Sequence, residues 1–73
     1  MRQKLEYFVM LYKGQYLYKD VLEVVEKRLI QLVLERTDGN KLKTARLLGI
    51  NRNTLYAKIK KLGINAEGFK KYE

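Results

Sequence analysis

The sequence predicts an all-α fold of four helices in one structural domain. Three observations support it: apolar residues recur at helical spacing in four segments, there is no proline in the 73 residues, and four of the five glycines directly follow or closely follow such a segment. The predicted helices cover residues 3–13, 17–36, 41–48 and 52–62. Residues 65–73 lack clear periodicity and are expected to form a flexible tail.

The first two predicted helices, within residues 1–38, form the apolar half of the chain. Residues 17–36 include many β-branched side chains, which would suit a strand, but about 20 residues of 3.6-type spacing favour a helix. The apolar surface is wider than one small chain can cover. We therefore expect the two helices to build a four-helix bundle in a symmetric homodimer. The expected interface residues are Leu5, Phe8, Val9, Tyr12, Val21, Leu22, Val25, Leu29 and Leu32. The alternative is a monomer whose C-terminal helices cover the same surface.

Residues 39–64 show the pattern of a helix-turn-helix. Apolar residues recur three or four positions apart on both sides of Gly49, at Leu42, Ala45 and Leu48 before it and at Leu55, Ile59 and Leu62 after it. Gly49 suits the positive φ of a tight turn. Asn40 and Asn51 precede the two helices as N-caps, and Asn51 is expected to accept from the backbone N–H of Thr54. The alternative is an ordinary pair of core helices.

The charge distribution indicates a polyanionic partner. Residues 1–38 carry seven basic and six acidic side chains, a net +1, whereas residues 39–73 carry nine and two, a net +7. No Asp or Glu occurs from Gly39 to Ala66, and the seven basic residues there are Lys41, Lys43, Arg46, Arg52, Lys58, Lys60 and Lys61. A solvated helix face normally mixes both signs, so an all-basic surface favours nucleic acid.

The fourth predicted helix is interpreted as a recognition helix, 52–62, that enters the major groove. Arg52, Asn53, Tyr56 and Lys60 lie opposite its apolar stripe, and an Arg guanidinium can bond guanine O6 and N7 together. The predicted DNA-binding residues are Asn40, Lys41, Lys43, Asn51, Arg52, Asn53, Thr54, Tyr56, Lys58, Lys60 and Lys61. Two alternatives stay open: Asn51 as a pure cap, and Tyr56 packed beside Leu55 or Ile59.

Residues 16–65 resemble the Fis-type helix-turn-helix family. The matching residues are Leu17, Tyr18, Val25, Glu26, Thr37, Gly39, Asn40, Ala45, Leu47 to Arg52, Thr54, Leu55, Lys58 to Lys60 and Leu62 to Ile64. The family includes the nucleoid protein Fis and the C-terminal DNA-binding domains of NtrC-like activators, the enhancer-binding proteins of sigma-54 transcription. The resemblance implies a homodimer joined through the first two helices, with two recognition helices in successive major grooves of bent DNA.

The resemblance also implies roles for single residues. Asn51 and Arg52 look like base and phosphate contacts, while Thr54, Lys58, Lys61 and Asn40 look like backbone contacts. The chain departs from common family patterns at Arg28, where relatives often have Pro, at Lys41-Leu42-Lys43, where they often have Gln-Thr-Arg, and at Tyr56 and Ala57, where basic residues are common. Leu42 has no hydroxyl for the phosphate contact that the family Thr makes, so we do not expect that contact here, and the preferred site should differ.

The sequence argues against several function classes. The chain has no His, no Cys and no phosphate-cradling Gly loop, so we expect no enzyme, no metal and no cofactor. No apolar run approaches the roughly 18 residues of a membrane span, and we expect a cytoplasmic, nucleoid-associated protein. A basic amphipathic membrane-surface helix or an RNA-binding module remains an outside alternative.

We therefore predict sequence-specific binding of double-stranded DNA as a homodimer, which tethers a transcription activator to an enhancer site. In a full-length activator, contact with sigma-54 RNA polymerase would run through domains outside these 73 residues. The alternative is a Fis-like nucleoid protein that bends DNA as an architectural element, which a sequence of one domain does not separate from the activator.

Overall fold

The computed structural model describes residues 2–70, with side chains described from residue 4 onward. Four helices follow one another, α1 (Arg2–Leu11), α2 (Leu17–Arg36), α3 (Lys41–Leu48) and α4 (Arg52–Leu62). The described residues contain no strand, so the all-α prediction is confirmed. α1 ends two residues before its expected end. Within residues 2–70, no helix combines the length and the apolar character needed to cross a bilayer.

The expected flexible tail is corrected in its first part. Ala66–Phe69 forms a 3-10 helix, with Ala66 buried and Phe69 half-buried. The physical reason is that Ile64, which follows the end of α4, is itself buried and carries the chain back over the core. The last part of the predicted tail, residues 71–73, lies outside the described residues.

The same tetrapeptide, Leu-Gly-Ile-Asn, ends both α3 and α4. Gly49 and Gly63 adopt φ values of 73° and 67°, a left-handed conformation that a residue with a Cβ adopts only under strain. The N–H of the following isoleucine then donates to a carbonyl five residues back, in both cases at 3.0 Å. These bonds satisfy helix carbonyls that would otherwise lack a partner, and both isoleucines turn toward the core.

Asparagine side chains begin both helices of the helix-turn-helix. Asn40 accepts from the backbone N–H of Lys43 at 3.0 Å, as expected for an N-cap. Asn51 accepts from the N–H of Asn53 at 2.7 Å. The prediction that Thr54 donates this bond was wrong. Either N–H is a normal partner for an N-cap, so the cap role of Asn51 itself is confirmed.

The core lies between the second half of α2 and the C-terminal elements that pack on it. The buried apolar residues are Ile30, Leu34, Ala45, Leu55, Ile64 and Ala66, and the partly buried residues around them are Leu48, Ile50, Ile59, Leu62 and Phe69. The small side chain of Ala45 leaves room for α4 to cross α3 closely. The core therefore fixes α3 and α4 against the end of α2.

Two buried threonines join the end of α2 to α3. The Thr37 and Thr44 hydroxyl oxygens lie 2.8 Å apart. The Thr37 hydroxyl also lies 3.3 Å from the carbonyl oxygens of Leu34 and Asn40, which can only accept. Thr37 therefore donates to a carbonyl, and the Thr44 hydroxyl donates to Thr37. This arrangement satisfies both buried hydroxyls.

α1 and the first half of α2 remain outside this core. Six of the predicted interface residues, Leu5, Val9, Leu22, Val25, Leu29 and Leu32, are 46–56% exposed, and Phe8, Tyr12 and Val21 are half-buried. The chain has a radius of gyration of 14.1 Å, against about 11 Å for a compact domain of this length. The predicted two-chain bundle stays a prediction.

A polar contact joins α1 to α2. The Tyr12 hydroxyl donates to the carboxylate of Asp20 and accepts from the backbone N–H of Tyr16 at 3.3 Å. The bond to Asp20 raises the pKa of Tyr12. Tyr12 also stacks on Phe8, with the ring centroids 5.8 Å apart. Phe8 on α1 and Tyr12 directly after it are therefore held near the start of α2.

Candidate nucleic-acid interface

The packing of α4 determines which of its side chains face outward. Leu55 is fully buried, and Ile59 and Leu62 are half-buried against the same core. Three residues on the opposite side are exposed: Asn53, Tyr56 and Lys60. The outward face expected from the helical spacing is thus the face that the structure exposes.

Ala57 lies in the middle of this outward face and is exposed. It is one turn beyond Asn53 and three positions before Lys60, so all three residues share the face. From the sequence, Ala57 was predicted only to replace a basic residue and not to contact DNA. Its helical position relative to these two residues could have identified it. A methyl group here leaves α4 free to approach a flat surface closely and can contact a thymine methyl.

The start of α4 presents Asn51 and Arg52, both exposed. Oδ1 of Asn51 accepts the capping hydrogen bond from the N–H of Asn53, and this bond stabilises the first turn of α4. Arg52 is the first residue of α4, and its exposed side chain can reach a base edge or a phosphate. Their assignment as DNA contacts stays a prediction.

Lys58 has a structural partner that the sequence did not reveal. Its Nζ atom lies 2.7 Å from Oε1 of Glu26, and both side chains are about one-third exposed. This ion pair ties α4 to α2 and turns the ammonium group away from the outward face. The geometry therefore gives no support to the predicted phosphate contact of Lys58.

Lys41, the first residue of α3, lies between α4 and the 3-10 helix. Its Nζ atom is 5.4 Å from the centroid of the Tyr56 ring, a cation–π distance, and 3.8 Å from Oε1 of Glu67. The other carboxylate oxygen of Glu67 is 2.9 Å from Nζ of Lys70. The contact with Lys70, and secondarily that with Lys41, lowers the pKa of Glu67. The Tyr56 ring is 44% exposed, and the alternative in which it packs beside Leu55 or Ile59 stays open.

A wide, shallow depression of about 560 Å³ opens at this junction. It is lined by Asp38, Gly39, Asn40, Lys41, Leu42, Tyr56 and Lys70. The depression joins the start of α3 to the outward face of α4, so both helices contribute to one continuous surface. Leu42 is exposed on this surface and offers no hydroxyl.

The remaining predicted contacts are exposed: Asn40, Lys43, Thr54, Lys60 and Lys61. Lys43 donates its backbone N–H to the Asn40 cap, which leaves its ammonium group outside that bond. Arg46 on α3 is also exposed. Among the described residues, no group of three His, Cys, Asp or Glu side chains is placed to hold a metal ion.

Comparison with known proteins identifies the family. Residues 21–62 match the sequence model of the Fis family of bacterial regulatory proteins. The chain belongs to this family. The match covers α3, α4 and most of α2, and it confirms the resemblance found in the sequence.

Curated relatives of the chain carry the name DNA-binding protein Fis. Those of Aliivibrio fischeri (strain MJ11) and Aliivibrio salmonicida (strain LFI1238) are each 47% identical over 49 residues, which cover 67% of this chain and 50% of the relative. The chain therefore spans about half the length of the curated relatives it matches. No solved structure matches the chain.

Proposed function

We propose that this chain binds double-stranded DNA as a homodimer, with α4 of each protomer as the recognition helix in a major groove. The observation that carries this proposal is the outward face of α4, which is exposed and lies in a stretch without any acidic residue from Gly39 to Ala66. A polyanion would meet polar and basic groups and the small Ala57 there, and no carboxylate of α4. The names of the curated relatives support the same ligand.

The side chains of this surface fall into two groups by what they can reach. Asn53, Tyr56 and Ala57 lie on the outward face of α4 and would meet base edges, with Arg52 at its start reading a guanine. The exposed lysines of α3 and α4, Lys43, Lys60 and Lys61, would neutralise phosphates and so provide sequence-independent affinity. Lys58 is left out of this group because of its ion pair with Glu26.

The exposed apolar surface of α1 and α2 supports the homodimer. Large side chains in this region, among them Leu22, Val25 and Leu29, are about half exposed. They lie on one side of α2 and so form one apolar surface. A second copy would cover them by adding the same two helices across a two-fold axis. Such a dimer would also present two recognition helices, as a site with two half-sites requires.

Two biological roles fit this binding mode. The first is the tethering of a transcription activator to an enhancer site, which is supported by the Arg and Asn groups on α4 that can read bases. The second is an architectural role as a Fis-like protein that bends DNA, which is supported by the curated relatives named Fis. The two roles differ in how strongly binding depends on sequence.

Selection of bound DNA from a random duplex pool, at near-physiological salt and with the mass of the complex measured, tests the proposal. An inverted repeat with half-sites about 10 base pairs apart, bound by two chains, would support the sequence-specific role. A dimer on DNA without a consensus would support the architectural role, which depends on DNA shape. A monomer without base preference, or no binding, would overturn the proposal.

A further inference from the structure

The segment after α4 folds back onto the helix-turn-helix. Ile64 and Ala66 are buried, and the 3-10 helix packs on α2. A Cβ atom on Gly39 would lie 2.9 Å from Cγ of Lys70 and 3.1 Å from the Ala66 carbonyl oxygen, so the segment lies directly against the turn before α3. This segment follows the residues 21–62 that match the family.

The fold brings the carboxylate of Glu67 next to Lys41, at the edge of the depression that Asp38 also lines. Glu67 is the first acidic residue after Asp38 in the sequence, and it ends the acid-free stretch. Its carboxylate lies between Nζ of Lys41 at 3.8 Å and Nζ of Lys70 at 2.9 Å, and its side chain is 59% exposed. A carboxylate thus occupies the place beside Lys41 where a DNA phosphate would bind.

We propose that Glu67 is an intramolecular competitor of DNA phosphate for Lys41 and thereby sets the affinity of this chain for DNA. This inference rests on the proposed DNA-binding function. The carboxylate of Glu67 holds Lys41 against the Tyr56 ring in the free protein, and a phosphate that binds Lys41 must replace it. The same carboxylate also repels nearby phosphates.

The contact geometry makes Glu67 a modulator of binding. The Lys41–Glu67 distance is long for an ion pair and both groups are partly in water, so little free energy is needed to separate them. DNA can therefore displace Glu67, at a cost that lowers the affinity. A neutral side chain at this position would remove both the competition and the repulsion.

Glu67→Gln is the direct test, because it removes the charge and keeps the size of the side chain. We expect it to bind duplex DNA about 1.5- to 5-fold more tightly. The slope of log affinity against log salt concentration should stay close to that of the natural chain, because Lys41 neutralises a phosphate in both complexes once Glu67 is displaced. Both quantities are measured by fluorescence anisotropy of a labelled duplex over a series of salt concentrations.

Glu23→Gln is the matched control for net charge. Glu23 also faces a lysine, Lys19 at 4.0 Å. It lies on α2 seven residues before Ile30, the first buried residue of the core. Glu23→Gln changes the net charge equally and should leave the affinity close to that of the natural chain. An equal gain in both variants would overturn the inference.

Lys41→Ala identifies the residue that Glu67 competes for. In a Lys41→Ala chain, the additional change Glu67→Gln should produce no further gain. A gain that persists there, or weaker binding by Glu67→Gln alone, would overturn the inference while the DNA-binding proposal stands. A natural chain that binds no DNA at any salt concentration would overturn both.

Discussion

The two halves of the molecule differ in how completely they bury their apolar side chains. Among the residues that the structure describes, all buried core residues lie in the C-terminal half, from Ile30 onward, and the buried hydroxyls there are satisfied. The N-terminal half, α1 and the first part of α2, leaves most of its large apolar side chains about half exposed or more. The comparison indicates that the helix-turn-helix is complete in one chain, whereas the N-terminal half gains most from a partner.

The charges divide along nearly the same boundary. The first 38 residues carry a net +1 and the last 35 a net +7. An apolar, almost neutral surface suits contact with protein, and a basic surface suits a polyanion. The two halves are therefore expected to respond differently to substitution, and this difference can be measured.

The largest effect is expected from Leu29→Glu on α2. Leu29 is 48% exposed and belongs to the predicted dimer interface. The substitution would remove apolar burial and place a carboxylate in the interface without a partner. Because a two-fold interface contains the residue twice, the free energy of dimerisation should weaken by roughly 3 kcal/mol or more. The expected result is a shift from dimer to monomer, measured by analytical ultracentrifugation over a range of concentrations.

Lys27→Glu is the control, because it places the same side chain on the same helix at an exposed position outside the predicted interface. It should leave the dimer intact. A natural chain that sediments as a monomer at every concentration would contradict the comparison between the halves, because the exposed apolar surface would then have no partner in a second copy.

A somewhat smaller effect is expected from Leu34→Ala in the core of the C-terminal half. Leu34 is fully buried, so the truncation should lower the free energy of unfolding by about 2–5 kcal/mol. Leu47→Ala, at a 49% exposed position on α3, should cost less than about 1 kcal/mol. Urea unfolding followed by circular dichroism measures both, at one fixed protein concentration because a dimer's stability depends on it. Equal costs would contradict the position of the core.

Local sequence predicted much of the C-terminal half because its boundaries depend on local chemistry. Asn40 caps α3 with the side-chain bond that its position predicts, and Gly49 and Gly63 end helices through a backbone conformation that glycine adopts easily. The tetrapeptide Leu-Gly-Ile-Asn precedes α4 at residues 48–51 and precedes the 3-10 helix at residues 62–65. Its second occurrence was therefore a sequence signal that another helix could follow. Residues 65–73 lack the apolar periodicity of a longer helix, and for this reason they were predicted to form a flexible tail.

Contacts between distant parts of the sequence were not predictable in this way. The ion pair of Lys58 with Glu26 and that of Lys41 with Glu67 require the final angles between helices, and helical spacing does not contain these angles. The sequence identified a basic surface correctly in outline. It could not distinguish lysines that face outward from lysines that have an acidic partner.

The smallest effects concern DNA contacts, which test whether the basic half works separately from the apolar half. Arg52→Ala should lower the affinity for a selected site by about 1–3 kcal/mol and relax the base preference, because a guanidinium that bonds guanine distinguishes it from other bases. Arg52 is exposed at the start of α4, so neither the fold nor the mass of the dimer should change. Competition between selected and random duplexes measures the effect.

Lys60→Ala on the outward face of α4 completes this test as a contrast within one helix. A lysine that neutralises a phosphate contributes equally to every sequence, so its loss should weaken selected and random duplexes alike and flatten the salt dependence by about one unit. If Arg52→Ala gives the same uniform loss as Lys60→Ala, Arg52 contacts a phosphate and base reading must come from Asn53, Tyr56 or Ala57. If either change also separates the dimer, the two halves are coupled, and the division of the molecule into a protein-binding and a DNA-binding half is wrong.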